Sequence, residues 1–286
     1  MTIERAVTPR GPYSLALSAR LASDATRTFR DGLLTQALAL HGGVELARAW
    51  QSPDGTVTIR AGSPEAVERI RWLLALDDDH SEFLVGVRDD PFLGRASREL
   101  RGLRPVRVTT VAQALLRAFC GQLIEAKRAR RLEQTIVRAL CAPAGERLHV
   151  APAARELGAL APSQLRALGL HARRAAALVR ICRSLDLERL HGASTEAIVA
   201  RLQRERGLGP WSVGIVALEG LGRYDHGLVG DLGLVKLLRA MRGRPVEGWE
   251  TAELLERYGA WRGLASVYIL AAYGRGLLSF DATQAA

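Results

Sequence analysis

Apolar residues are spaced in two ways along this chain. From about residue 77 onward they recur three or four positions apart in segment after segment, the period of an amphipathic helix. Before that, short alternating runs interrupt the helical spacing. Positions 13–19 place Tyr13, Leu15, Leu17 and Ala19 on one face, which predicts a strand. The runs 44–50 and 56–60 flank Gln51-Ser-Pro-Asp-Gly55. Pro-Asp-Gly supplies a fixed φ and a left-handed position, so these runs predict a β-hairpin. Residues 31–41 read as a short helix between the two. Ser63 then caps a helix with Pro64 in its first turn and Val67, Ile70 and Leu73 on its apolar face.

Asp77-Asp-Asp-His80 breaks the pattern, and a domain boundary is expected between 77 and 100. Beyond it, helices are predicted over 111–119, 126–140, 162–168, 172–184, 195–204, 211–221, 232–241, 250–258 and 262–273. The expected fold class is therefore α+β: a small N-terminal mixed α/β sheet domain over 1–90, followed by an all-α domain over 91–286.

Composition narrows the function classes. The 48% apolar and 24% charged content of the 286 residues is that of a globular chain of about two domains. No apolar run is long enough to span a membrane, and residues 1–10 lack the apolar core of a signal peptide. Cys120, Cys141 and Cys182 have no CxxC spacing, which argues against a disulfide framework, a zinc ribbon or an iron–sulfur cluster. The six histidines show no metal spacing either. A reducing cytoplasm fits best.

The charge is more informative. Forty basic residues against thirty acidic give +10. Only Lys127 and Lys236 are lysine. Codon bias explains arginine over lysine but not basic over acidic, and the excess points to a polyanion such as nucleic acid.

The densest chemistry lies between 195 and 236. A predicted helix runs into Arg206-Gly-Leu-Gly-Pro-Trp-Ser-Val-Gly214, and a second helix follows at once. Gly207 and Gly209 let the backbone turn and expose its N–H groups. Leu208 plugs the turn into the core, and Pro210 starts the next helix. Such a helix-hairpin-helix, with Ser212 and Gly214 on its second helix, holds a phosphate directly or through a monovalent cation. A tight connection between two helices has the same pattern. Twenty residues past Trp211, Asp231 follows Gly227-Leu-Val-Gly and opens another helix. It reads as an N-cap, as a carboxylate held at a cleft mouth, or as both, because capping fixes the side chain.

The hairpin followed by Val-Gly-Asp231 resembles the helix-hairpin-helix superfamily of DNA base-excision glycosylases. The Trp211-to-Asp231 interval is similar to that of its alkylbase branch, DNA-3-methyladenine glycosylase II. Leu76-Asp-Asp-Asp-His-Ser-Glu-Phe83, Arg101-Gly-Leu-Arg-Pro105, Phe119-Cys-Gly-Gln-Leu123 and Ala260-Trp-Arg262 resemble further segments of that branch, so the likeness spans about 10–278.

The resemblance implies a monofunctional glycosylase acting in base excision repair. It would flip a damaged, alkylated purine out of duplex DNA and hydrolyse its glycosidic bond, without an organic cofactor. Asp231 would be the catalytic carboxylate, stabilising positive charge at the sugar. Gln122 and Leu123 would fill the gap left by the flipped nucleotide, the other reading of Leu123 being a core leucine. Trp211 and Trp261 would form an aromatic pocket for a cationic base, with Ile215 at a position where some relatives carry tyrosine. Both tryptophans also suit a core.

Lys127 and Arg128, after the wedge turn, and Lys236 would meet backbone phosphates. The lysine that lyase members place in the hairpin is replaced by Trp211, so a Schiff base is not expected. The partner implied is double-stranded DNA containing damaged bases, bound by a monomer on the nucleoid and not at a membrane. Two alternatives stay open: a glycosylase for deaminated or oxidised bases, and a non-catalytic DNA-binding protein.

Overall fold

The computed structural model describes residues 2–278; the last eight positions of the predicted second domain, 279–286, lie outside it. Five antiparallel strands form the N-terminal lobe: β1 (Ile3–Val7), β2 (Arg27–Arg30), β3 (Leu33–Leu40), β4 (Gly43–Gln51) and β5 (Val57–Ala61), in the order β1-β5-β4-β3-β2. The short helix α1 (Leu15–Ala19) lies between β1 and β2, and α2 (Pro64–Leu73) packs on the sheet.

The hairpin around Pro53-Asp-Gly and the Ser63 cap form as expected; Ser63 Oγ accepts the Ala66 amide. Two expectations fail. Positions 15–19 are helical, because Ser14 caps them by accepting the Leu17 amide. Residues 33–40 are a strand. Asp31 and Gly32 both take positive φ and turn β2 tightly into β3, and backbone pairing with β2 and β4 outweighs the helical spacing of their leucines.

Helices dominate the rest: α3 (Ser81–Gly86), α4 (Gly94–Glu99), α5 (Val111–Gly121), α6 (Ala126–Leu140), α7 (Ala154–Ala159), α8 (Pro162–Ala167), α9 (Ala172–Ser184), α10 (Thr195–Gln203), α11 (Pro210–Ile215), α12 (Leu232–Arg242), α13 (Glu250–Glu256) and α14 (Arg262–Tyr273). The region is not wholly helical, contrary to expectation. Strands β6 (Pro143–Gly145) and β7 (Leu148–His149) make a two-stranded hairpin, turned by the positive φ of Glu146 and Arg147. The sheet lobe holds it in place: the His149 amide donates to Ala25 O (2.9 Å), and Arg48 pairs with Glu146. The helix predicted over 211–221 also changes character at Val216, where a π-turn covers Val216–Gly220.

Buried apolar side chains gather in three main clusters. One lies between the sheet and α2. A second fills the middle of the chain from Val108 to Leu221. The third joins α3 and α4 to the C-terminal helices α12–α14. The chain thus crosses from the third cluster to the second and returns, leaving a cleft between them.

Buried arginines join these bodies. Arg107 donates to Trp72 O (2.9 Å) in the sheet lobe, to Asp78 in the acidic junction, and to Tyr224 Oη (3.2 Å) at the C-terminal body. Arg104 donates to Ala75 O, Arg10 O and Pro12 O.

His80 is buried at 1% exposure, edge-on to Tyr224 and Trp261, and neither ring nitrogen has a hydrogen-bond partner. Burial, with Arg104 and Arg107 nearby, pushes its pKa down to about 3. The unfolded chain therefore binds a proton there at higher pH than the folded chain does. Stability from this group is complete above pH about 6.5 and declines as the pH falls toward 3. Between pH 7.5 and 5 the loss amounts to about 2 kcal/mol. Urea unfolding at the two pH values should show a stability drop smaller by about that amount in His80→Phe than in the wild type.

Candidate active site

A cleft of about 1230 Å³ opens between the two helical bodies, with the sheet lobe at one end. Its lining joins segments far apart in sequence: the 121–126 turn, the 207–212 hairpin, Asp231 at the head of α12, and Asp24 of the sheet lobe.

The hairpin turns as its sequence demands. Gly207 has φ +103°, and Leu208 is buried in the central cluster. Gly209 is extended, not left-handed, and a Cβ there would meet open space. Its lack of a side chain leaves the hairpin tip bare for close approach by another backbone. Arg206 and Gly207 are exposed at the tip, whereas Ser212 and Gly214 are buried on α11. Gly214 lies so close to Gly227 O that a Cβ would sit 2.8 Å from it.

Asp231 caps α12: one carboxylate oxygen accepts the Gly233 amide at 2.7 Å and the Leu234 amide at 3.4 Å. The other accepts the indole N–H of Trp211 at 2.9 Å. Both readings of Asp231 thus describe one placement, a capping carboxylate in the wall of the cleft. The loop before it is tied to α13, since Thr251 Oγ1 accepts the Gly230 amide (2.7 Å) and donates to Gly248 O (2.7 Å). Trp211 also lines the cleft and packs its six-membered ring against Gly121, where a Cβ would come within 2.5 Å of the indole. Ile215 lines the cleft one turn on.

Leu123 is 84% exposed at the cleft, with φ +55°, on the turn between α5 and α6. That excludes the core reading of this leucine. Gln122 does not extend with it. Its side-chain amide turns back and donates to Gly207 O (2.8 Å) and Ser212 Oγ (3.0 Å), bracing the turn against the hairpin. Lys236 lines the cleft; Lys127 and Arg128 are exposed on the first turn of α6, outside the lining.

Trp261 does not reach the cleft. It stacks near Tyr224 (centroids 6.1 Å apart) and packs with His80 and Phe83 in the third cluster. The exposed aromatic of the cleft is instead Trp249, at the head of α13. Its local sequence has no feature to mark it; it reaches the cleft because Thr251 fixes its loop beside Gly230.

A charged cluster that the sequence pattern did not reveal lines the cleft near the sheet lobe. Arg117 donates to Asp24 (2.6 Å), to both oxygens of Glu133 (3.0 Å each at closest) and to Glu219. Burial alone would raise the Asp24 pKa; Arg27, Arg117 and the Thr26 hydrogen bonds overcome this and hold it below its ordinary value. Burial wins at Glu133 and pushes its carboxyl up, against the pull of Arg117. The three cysteines are free and buried, and burial pushes the thiols of Cys141 and Cys182 up to about 12. Among the described residues, no group of His, Cys, Asp or Glu is arranged to hold a metal ion, and no helix is long and apolar enough to cross a membrane.

The hairpin and the carboxylate at the cleft wall stand in a fold shared with solved DNA glycosylases. The chain superposes on a 3-methyladenine DNA glycosylase from Archaeoglobus fulgidus with a TM-score of 0.82 and 19% identity, covering 95% of this chain and 98% of that one. It superposes on an 8-oxoguanine glycosylase/lyase of Clostridium acetobutylicum, solved with duplex DNA, with a TM-score of 0.77 and 16% identity, covering 97% and 99%.

In sequence the chain is similar to the DNA-3-methyladenine glycosylase of Bacillus subtilis: 26% identity over 216 residues, which is 72% of this chain and 71% of the relative. It is also 26% identical over 249 residues to a probable bifunctional transcriptional activator/DNA repair enzyme of Mycobacterium tuberculosis. That match covers 84% of this chain but only half of the relative. No family model matches the chain.

Gly121→Ala should force the Trp211 indole away from Asp231 and cost about 1–3 kcal/mol of overpacking. Gly209→Ala, with open space before it, should cost less than about 1 kcal/mol. Chemical denaturation of both variants checks the contrast.

Proposed function

We propose that the protein is a monofunctional DNA glycosylase that flips an alkylated purine out of duplex DNA and hydrolyses its glycosidic bond. The observation that carries this reading is the placement of Asp231. Its carboxylate is fixed by the α12 amides and by Trp211, in the wall of a cleft whose lining also includes the hairpin and the exposed Leu123.

Each part has a physical task. The hairpin amides and Gly209 grip the phosphate backbone. Arg206, Lys127, Arg128 and Lys236 add charge, so binding weakens as salt rises. Leu123 enters the stack in place of the flipped nucleotide, offsetting part of the few kcal/mol of unstacking. Gln122 keeps the wedge and the phosphate grip in register. In the cleft, the C1′–N bond breaks with positive charge developing on the sugar. The Asp231 carboxylate stabilises that charge and orients the attacking water. Because both of its oxygens are already hydrogen-bonded in the free protein, little reorganisation is needed at the moment of reaction.

Trp211 holds the position where a lyase lysine would stand, so the product is an abasic site without strand scission. Pocket aromaticity rests on Trp211 and Trp249, not on Trp261.

Asp231→Asn keeps a good N-cap and should retain duplex binding while lowering single-turnover excision from alkylated DNA at least about 100-fold. Excision that survives this change would remove the catalytic role of Asp231. No protein–DNA adduct should form under borohydride; a trapped adduct would overturn the monofunctional assignment.

A further inference from the structure

We infer that Glu219 is the specificity-determining residue of the cleft: its carboxylate reads an N–H donor on the far edge of the flipped base and disfavours a carbonyl there. The inference rests on the glycosylase reading above and extends it to the class of base accepted.

Trp211, Ile215 and Glu219 are four residues apart and all three line the cleft, so they follow one another along one wall, the first step being a helical rise of roughly 6 Å. The top step, Trp211, is bonded to Asp231, the carboxylate assigned to the sugar, and its ring begins the pocket for the base. The middle step, Ile215, is an apolar surface for the face of a base. A purine carries its glycosidic nitrogen and its C6 substituent at opposite ends. A base anchored by its sugar at the first step and lying against the second therefore turns its C6 edge toward the third.

Glu219 is built to face that edge. It lies in the π-turn Val216–Gly220, the kind of local irregularity that redirects a side chain at a functional site. Gly220 is packed so closely on α5 that a Cβ would lie 2.8 Å from Ala114, which fixes the backbone of the turn. One carboxylate oxygen, Oε2, is held by Arg117, which Asp24 and Glu133 hold in turn. Oε1 accepts no hydrogen bond from the described residues, and the side chain keeps 22% of its surface open.

A carboxylate oxygen salt-bridged to arginine offers lone pairs and no proton. It accepts from an exocyclic amine, as on an alkylated adenine, and repels the C6 carbonyl of an alkylated guanine. A site that hydrogen-bonds one substituent penalises the analogue that leaves a buried group unpaired.

DNA treated with dimethyl sulfate presents both cases at once, as 3-methyladenine and 7-methylguanine. Both are cationic purines, so charge and leaving-group quality change less than the C6 substituent. Wild type and Glu219→Gln are compared by the initial rates of release of the two bases. Binding to a duplex with a tetrahydrofuran abasic analogue, which has no base to read, is measured alongside.

The glutamine amide can donate, so the ratio of 3-methyladenine to 7-methylguanine release should fall about tenfold or more, with abasic-analogue binding unchanged within about twofold. An unchanged ratio would overturn the inference, and so would loss of abasic-analogue binding, which would make Glu219 a structural residue. Release of neither base by the wild type would instead overturn the glycosylase reading itself.

Discussion

Arg117 stands where the sheet lobe, α5, α6 and the π-turn meet, with carboxylates from three different segments around one guanidinium. Without it, Glu133 would be a buried carboxylate with no cation beside it among the described residues, a situation that costs several kcal/mol. With it, three segments distant in sequence are fixed at one end of the cleft. Arg27 extends the fixation, pairing with Asp24 and donating to Ala22 O (2.8 Å), so the sheet-lobe loop at the cleft is held as well. The position of α6, and with it the end of the Leu123 turn, follows from Glu133. The sheet lobe is therefore part of the cleft and not an appendage to it.

The opposite wall depends on one carboxylate that caps a helix and faces the cleft. Asp231 starts α12 and is bonded to Trp211, so the helix that supports the C-terminal body begins at the group that faces the cleft. Trp211 packs against Gly121, the last residue of α5, and Gln122 reaches from the next position to the hairpin. Hairpin, Leu123 turn and carboxylate thus meet through side-chain contacts a few ångströms long, although Gln122 and Asp231 are more than a hundred positions apart. Displacement of any one of them is transmitted to the other two.

The arginine excess divides into two populations once the fold is known. Arg27, Arg104 and Arg107 are buried and satisfy backbone carbonyls between lobes; Arg117 neutralises carboxylates. Their forked donors suit this task, which a lysine ammonium would perform less well. The charge available to a polyanion is therefore carried by the exposed remainder, and net charge alone overstates it. Arg242 and Arg244 are both engaged by Glu250, which also accepts the Glu247 amide and braces the loop carrying Trp249.

What the chain's order of residues settles by itself is whatever depends on neighbours a few positions away. The helical periods, the Ser63 cap, the Pro-Asp-Gly turn, the Gly207 hairpin and the capping duty of Asp231 are local, and their residues carry the reasons with them. The strand at 33–40 was not legible, because its leucines satisfy a helical period equally well and only backbone pairing with β2 and β4 decides between them. The same holds for the β6–β7 hairpin, which leans on the sheet lobe. Whether Leu123 is buried or exposed, which tryptophan reaches the cleft, and that Gln122 braces the turn are questions of what lies across a gap. The charged cluster around Arg117 is the fullest case. Its members, Asp24, Glu133 and Glu219, have no common spacing, and their energies exist only when folding removes water from between them.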